Sequence, residues 1–138
     1  MACPNTTQTT CPTTRGFIYE TLCKIDQMQK AATIQTACEG CEGSLISAFY
    51  NTKPIVIYLR GGAKLTVDVP ETTTTTTVFR IENIKNDCVI LRLLTTNETT
   101  QALECTNYTC ILTIECICSL QCLAPICCDP CTKNCGAN

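Results

Sequence analysis

Between Gly16 and about Ala37 apolar residues return every three or four positions, at Ile18, Leu22, Ile25, Met28 or Gln29, and Ala32. That spacing lines one stripe of an α-helix, with Lys24, Asp26, Gln27 and Lys30 largely off the stripe and Cys23 beside it. The glycines of Cys38-Glu-Gly-Cys41-Glu-Gly43 end the helix, and the pattern then changes to short β-branched and aliphatic segments between turn signals. The predicted strands are Ser44–Tyr50, Ile55–Arg60, Ala63–Val69, Val78–Ile84, Cys88–Leu94 and a last region from Leu103 to Cys118. Asn51-Thr-Lys-Pro54, Gly61-Gly62, Pro70 and Lys85-Asn-Asp87 punctuate them, the glycine pair as a hairpin turn. The polythreonine run Thr72–Thr77 reads as an exposed loop or edge extension.

In the last region Cys110, Leu112, Ile114, Cys116 and Cys118 fall at every second position. A single strand would place them on one face. The expected fold is mainly β: an antiparallel β-sandwich or small barrel with one N-terminal helix and cysteine-rich terminal arms. Residues 1–15 read as a flexible Thr/Cys arm, 16–122 as the helix and β-domain, and 123–138 as a cysteine-rich tail without periodicity.

Composition sharpens the picture at one residue type. The chain of 138 residues is long enough to bury a core without staples, yet 15 of its residues, about 11%, are cysteine. That exceeds the ~8–10% typical of disulfide scaffolds and points to cross-linking beyond the fold. The count is odd, so a fully oxidised monomer leaves one sulfur over. There is no histidine, which removes the commonest general base and metal ligand. A net charge of −2 argues against nucleic acid or an anionic membrane as partner. The opening Met1-Ala-Cys-Pro-Asn lacks the basic and apolar regions of a secretory signal, and no apolar run is long enough to span a bilayer.

What, then, do the thiols bind? Cys38-x-x-Cys41 and Cys128-x-x-Cys131 have the spacing of zinc knuckles, but they lie much farther apart than the roughly 15–20 residues of a zinc ribbon. A redox centre would need a CxxC opening a helix beside a parallel strand, and Cys38 and Cys41 follow the helix instead. A cysteine nucleophile would need a base, and neither a histidine nor a clustered carboxylate pair supplies one; the sequence therefore predicts no enzyme, no cofactor and no metal. Adjacent Cys127 and Cys128 should seek different partners. Cys116 and Cys118, pointing the same way along one strand, should also pair elsewhere. Cys88 and Cys110 read equally as buried thiols packing as small hydrophobes.

Four segments together resemble the CotY/CotZ/ExsY family of cysteine-rich bacterial spore coat and exosporium proteins. They are Cys38-Glu-Gly-Cys41 with Leu45-Ile-Ser, Lys53-Pro-Ile-Val-Ile-Tyr58, Phe79-Arg-Ile-Glu82 with Cys88-Val-Ile-Leu-Arg-Leu-Leu94, and Ile114-Glu-Cys-Ile-Cys-Ser-Leu-Gln-Cys-Leu123. The resemblance covers roughly residues 16 to 123 and departs at both ends. It implies a structural subunit that self-assembles into cross-linked, ordered layers, with Cys38, Cys41, Cys88, Cys116, Cys118 and Cys122 as shared sulfur positions. It also implies synthesis in the mother-cell cytoplasm without a signal peptide, a place on the spore surface, and partners among copies of itself (a hexamer or higher polymer) and other coat proteins.

The expectation is therefore a disulfide-cross-linked homo-oligomer, with no nucleic acid and no membrane insertion. Cys3, Cys11, Cys127, Cys128, Cys131 and Cys135 in the arms are assigned to links between subunits, and Cys38, Cys41, Cys116, Cys118 and Cys122 to local ones. The alternatives are a secreted disulfide-stapled binding module and a cysteine-only zinc protein.

Overall fold

The computed structural model describes residues 16–37 and 50–128. The N-terminal arm, most of the predicted strand Ser44–Tyr50 and the tail from 129 onward lie outside the described residues, and with them Cys3, Cys11, Cys38, Cys41, Cys131 and Cys135.

The helix forms as its periodicity predicts, from Phe17 to Ala37 (α1). Its inward stripe carries Tyr19, Leu22 and Ile25, all buried. Where the sequence left Met28 or Gln29 open, the structure buries Gln29 and exposes Met28. A buried carboxamide must keep its hydrogen bonds, and this one does: Nε2 donates to the Ile81 carbonyl at 2.7 Å and Oε1 accepts from the Lys53 N–H at 2.8 Å. Asp26, placed off the stripe by the sequence pattern, is also buried.

Five antiparallel strands form the main sheet: β1 (Ile55–Leu59), β4 (Val78–Lys85), β5 (Cys88–Thr96), β6 (Leu103–Thr113) and β7 (Ile117–Cys122), in the order β6-β5-β4-β1-β7. Between β1 and β4, the short strands β2 (Val67–Asp68) and β3 (Thr75–Thr76) pair in a two-stranded sheet. The fold is mainly antiparallel β with one helix near the start. Among the described residues the main sheet is open, with β6 and β7 as its two edges, and does not close into a barrel.

One face of the sheet receives α1. Ile55, Ile57, Phe79, Ile81, Val89, Leu91 and Leu93 alternate along β1, β4 and β5 and close on Tyr19, Leu22 and Ile25. The turn predicted at Gly61-Gly62 is present, with both glycines at left-handed φ of 97° and 98°, where a Cβ would strain the backbone. Of the predicted strand Ala63–Val69 only β2 and a single bridge from Lys64 to Tyr58 remain. The polythreonine run contributes β3, and Thr76 turns inward to donate its hydroxyl to the Leu94 carbonyl.

The region from Leu103 to Cys118 departs most from expectation. It is not one strand. A 3₁₀ turn over Ile114–Cys116 ends β6, and the chain resumes as β7 on the far edge of the sheet. Residues three apart eclipse one another in a 3₁₀ turn, which lets Ile114 and Ile117 enter the core together. Strict alternation would have buried Ile114 and turned Ile117 out. The burial of two isoleucines thus overrides the period-two pattern, and the thiols that pattern grouped on one face are divided between opposite edges.

Candidate functional site

Sulfur is the chemistry this chain carries in excess, and the structure sorts its described cysteines into three environments. The first is bridged. Cys105 on β6 is joined to Cys128 by a disulfide, with Cα atoms 5.8 Å apart. Cys23 on α1 is also disulfide-bonded. Cys127, next to Cys128, is exposed and takes no part in the Cys105–Cys128 bridge. Cys128 is thereby held within its own chain, where the sequence reading assigned it to links between subunits.

The bridge fastens the C-terminal segment over the face of the sheet opposite α1. There Arg80 and Arg92 stand directly across from each other on β4 and β5. Both are buried, and both reach the same oxygen of Glu82: Arg80 Nη1 at 2.7 Å and Arg92 Nε at 2.7 Å. Arg80 also donates from Nε to the Thr52 hydroxyl at 2.7 Å. Asn51 completes the join, donating from Nδ2 to the Cys128 carbonyl at 2.7 Å and accepting the Cys128 N–H at Oδ1 at 2.8 Å. A buried backbone pair needs such partners, and here one asparagine supplies both. Cys105 was missing from the sequence-predicted set. Its odd position, out of phase with Cys110 and Leu112, was the one signal that it faces away from them.

The second environment is half-buried. Cys110 lies across from Leu91 on β5 and packs against the core. Burial pushes its thiol pKa up, so the neutral, inert form is favoured. Cys88 at the start of β5 is likewise partly covered.

No family model, curated protein or solved structure matches this chain.

The third environment is the open edge. Cys116, Cys118 and Cys122 are all free and exposed, in or next to β7. Cys116 ends the 3₁₀ turn, and its carbonyl accepts the Arg60 N–H at 3.0 Å. Cys118 falls where the β1–β7 register shifts, so it is bulged out of the ladder. Cys122 pairs with Ile55. Because Leu123 donates to the Pro54 carbonyl at 2.8 Å, the antiparallel alternation turns the N–H and C=O of Leu120 and Cys122 away from β1 and toward the edge. From Ile117 to Leu123 there is no charged residue and no proline, two of the devices by which edge strands avoid pairing with other chains. The bulge at Cys118 is the one such device present.

Among the described residues no group of three or more His, Cys, Asp or Glu side chains is placed to hold a metal. Nor is any described helix long and apolar enough to cross a membrane.

Proposed function

We propose that this chain is a structural subunit that associates with copies of itself and is locked by disulfides between them, in the outer layer of a bacterial spore. The observation that carries the assembly half is the β7 edge, where exposed thiols accompany uncharged strand backbone that no described strand pairs. An edge of this kind accepts another strand, and a thiol on each side then allows a covalent seal. Each seal joins two thiols and needs a two-electron oxidant, such as dioxygen or a small-molecule disulfide that leaves as two thiols. The spore location and the company of other coat proteins rest on the resemblance of the four segments to the CotY/CotZ/ExsY family.

The assignment of roles among cysteines changes in this reading. Cys116, Cys118 and Cys122, expected to bridge locally, become candidates for links between copies, and Cys128 becomes a local staple. Non-reducing and reducing gels of protein purified without reductant, with electron microscopy of the same sample, test the proposal. Ladders and ordered particles that collapse on adding thiol are expected. A monomer in both lanes overturns it.

A second reading, a disulfide-stapled binding module, draws on the Cys105–Cys128 bridge and on the bridged state of Cys23. It requires a monomer whose stability, rather than its size, responds to reductant.

A further inference from the structure

On the rim where α1 crosses β4, three side chains meet that neither the core nor the thiol chemistry explains. Lys30 Nζ lies 2.9 Å from Asp26 Oδ2 and 2.8 Å from Asn83 Oδ1. Asp26 and Lys30 are one helical turn apart, and such pairs are common on helices. The contact to Asn83 is different in kind, because it crosses from helix to sheet over 53 positions of sequence. Asn83 stands at the register shift between Ile81 and Asn83 in β4, and bulges re-aim side chains.

An amine, a carboxamide carbon one bond beyond the oxygen it touches, and a buried carboxyl in contact with the amine are the components of amide exchange. We propose that Lys30 and Asn83 form an intramolecular isopeptide bond, with Asp26 as the proton carrier. Asp26 takes a proton from the Lys30 ammonium. The freed amine attacks Asn83 Cγ, giving a tetrahedral centre; the proton on Asp26 passes to Nδ2, the bond from Cγ to Nδ2 breaks, and the second proton shed by the attacking nitrogen returns through Asp26 to the departing ammonia, which leaves as ammonium. Lysine ammonium and asparagine carboxamide become a secondary amide and ammonium ion, with atoms and charge balanced and no oxidant or cofactor required. One amide replaces another, and release of ammonia into dilute solution draws the exchange forward.

The surroundings favour chemistry over a plain ion pair. Holding reactants at contact distance replaces a bimolecular encounter by an intramolecular step. Asp26 is 7% exposed, and its Oδ1 is buried without a hydrogen-bond partner among the described residues. Burial raises its carboxyl pKa, against the lowering by Lys30 and Arg80, which is the direction a proton carrier needs. The Lys30 side chain is about half exposed, which leaves ammonia a way out. The resulting bond would tie α1 to β4 whatever the redox state of the cysteines, so the inference stands apart from the proposal of assembly.

Mass spectrometry of the full chain decides it. Fully reduced and alkylated protein should weigh less than its sequence by one ammonia, and a digest should yield a branched peptide joining the Lys30 and Asn83 segments, uncut by trypsin after Lys30. Lys30→Arg, which keeps the charge but not the nucleophile, and Asn83→Ala should each restore the unmodified mass and lose the branched peptide. Asp26→Asn should do the same while leaving both joined residues in place. Wild-type protein at its sequence mass overturns the proposal, as does loss of ammonia without the branched peptide.

Discussion

At the scale of single residues the structure turns on a few buried charges. Glu82 serves two guanidinium groups on a face that the C-terminal segment covers. Removing one partner of a buried ionic cluster leaves charge without compensation, at a cost of about 3–5 kcal/mol. Glu82→Ala should therefore lower the unfolding free energy in urea by about that much, whereas an exposed substitution such as Glu98→Ala should change it by less than ~0.5 kcal/mol. Asp26 gives a pH dependence of defined sign. Burial raises its carboxyl pKa in the folded state; Lys30 and Arg80 pull it down and Glu82 pushes it further up. The folded chain thus holds this proton more tightly than the unfolded chain, so Asp26's contribution favours folding at low pH and is lost as pH rises from the ordinary carboxylate range through the raised value. In an Asn83→Ala background, where no isopeptide can form, Asp26→Asn should remove that decline from urea melts taken across the acid range. The half-buried thiol of Cys110 should alkylate more slowly than those of Cys116, Cys118 and Cys122 in the native protein, as peptide mapping after a short iodoacetamide pulse would show.

At the scale of elements, the Cys105–Cys128 bridge and the β7 edge do different work. The bridge spans 23 positions of sequence, and closing a loop of that size in the unfolded chain is worth about 3 kcal/mol in the entropic account. Cys105→Ser should cost about that amount under oxidising conditions and nothing further once reductant is present. It should also loosen the hold of Asn51 on Cys128 and speed amide exchange through the segment after Leu123. The β7 thiols are solvent-facing, so the triple variant Cys116→Ser, Cys118→Ser, Cys122→Ser should melt within ~0.5 kcal/mol of the parent. If β7 is the seam between copies, the same variant should lose most of its ladder on a non-reducing gel. A ladder of undiminished intensity would move the cross-links to other cysteines.

At the scale of the whole molecule, one helix covers one face of an open sheet, and a stapled segment covers part of the other. Phe79 sits at the centre of the first layer with no exposure at all. Phe79→Ala should cost about 3–5 kcal/mol, enough to unfold a domain of ordinary stability, and circular dichroism would register it as loss of both helix and strand signal. The division between layers also separates two kinds of durability. Burial and the internal bridge hold the single chain together, while the exposed edge thiols are available for bonds outside it. If copies associate as proposed, a reductant titration should dissolve the assemblies before it unfolds the chain.

The extent of α1 and the positions of most strands could be read from the sequence, because local periodicity and turn residues set them: Leu22 and Ile25 mark the helix stripe, Gly61-Gly62 the turn, and Phe79 and Ile81 the inward face of β4. What local pattern could not supply was anything decided by packing between distant segments. The 3₁₀ turn exists because Ile114 and Ile117 share one core, and that turn sends β7 to the opposite edge and breaks the apparent row of thiols. Gln29 replaces Met28 inside because the Ile81 carbonyl and the Lys53 N–H wait there, and Cys128 finds Cys105 because Asn51 and the Arg80–Glu82–Arg92 cluster bring the tail across the sheet. Sequence alone determined how many thiols this chain has. Only the tertiary structure decided which of them face solvent, since exposure depends on what every other segment has already covered.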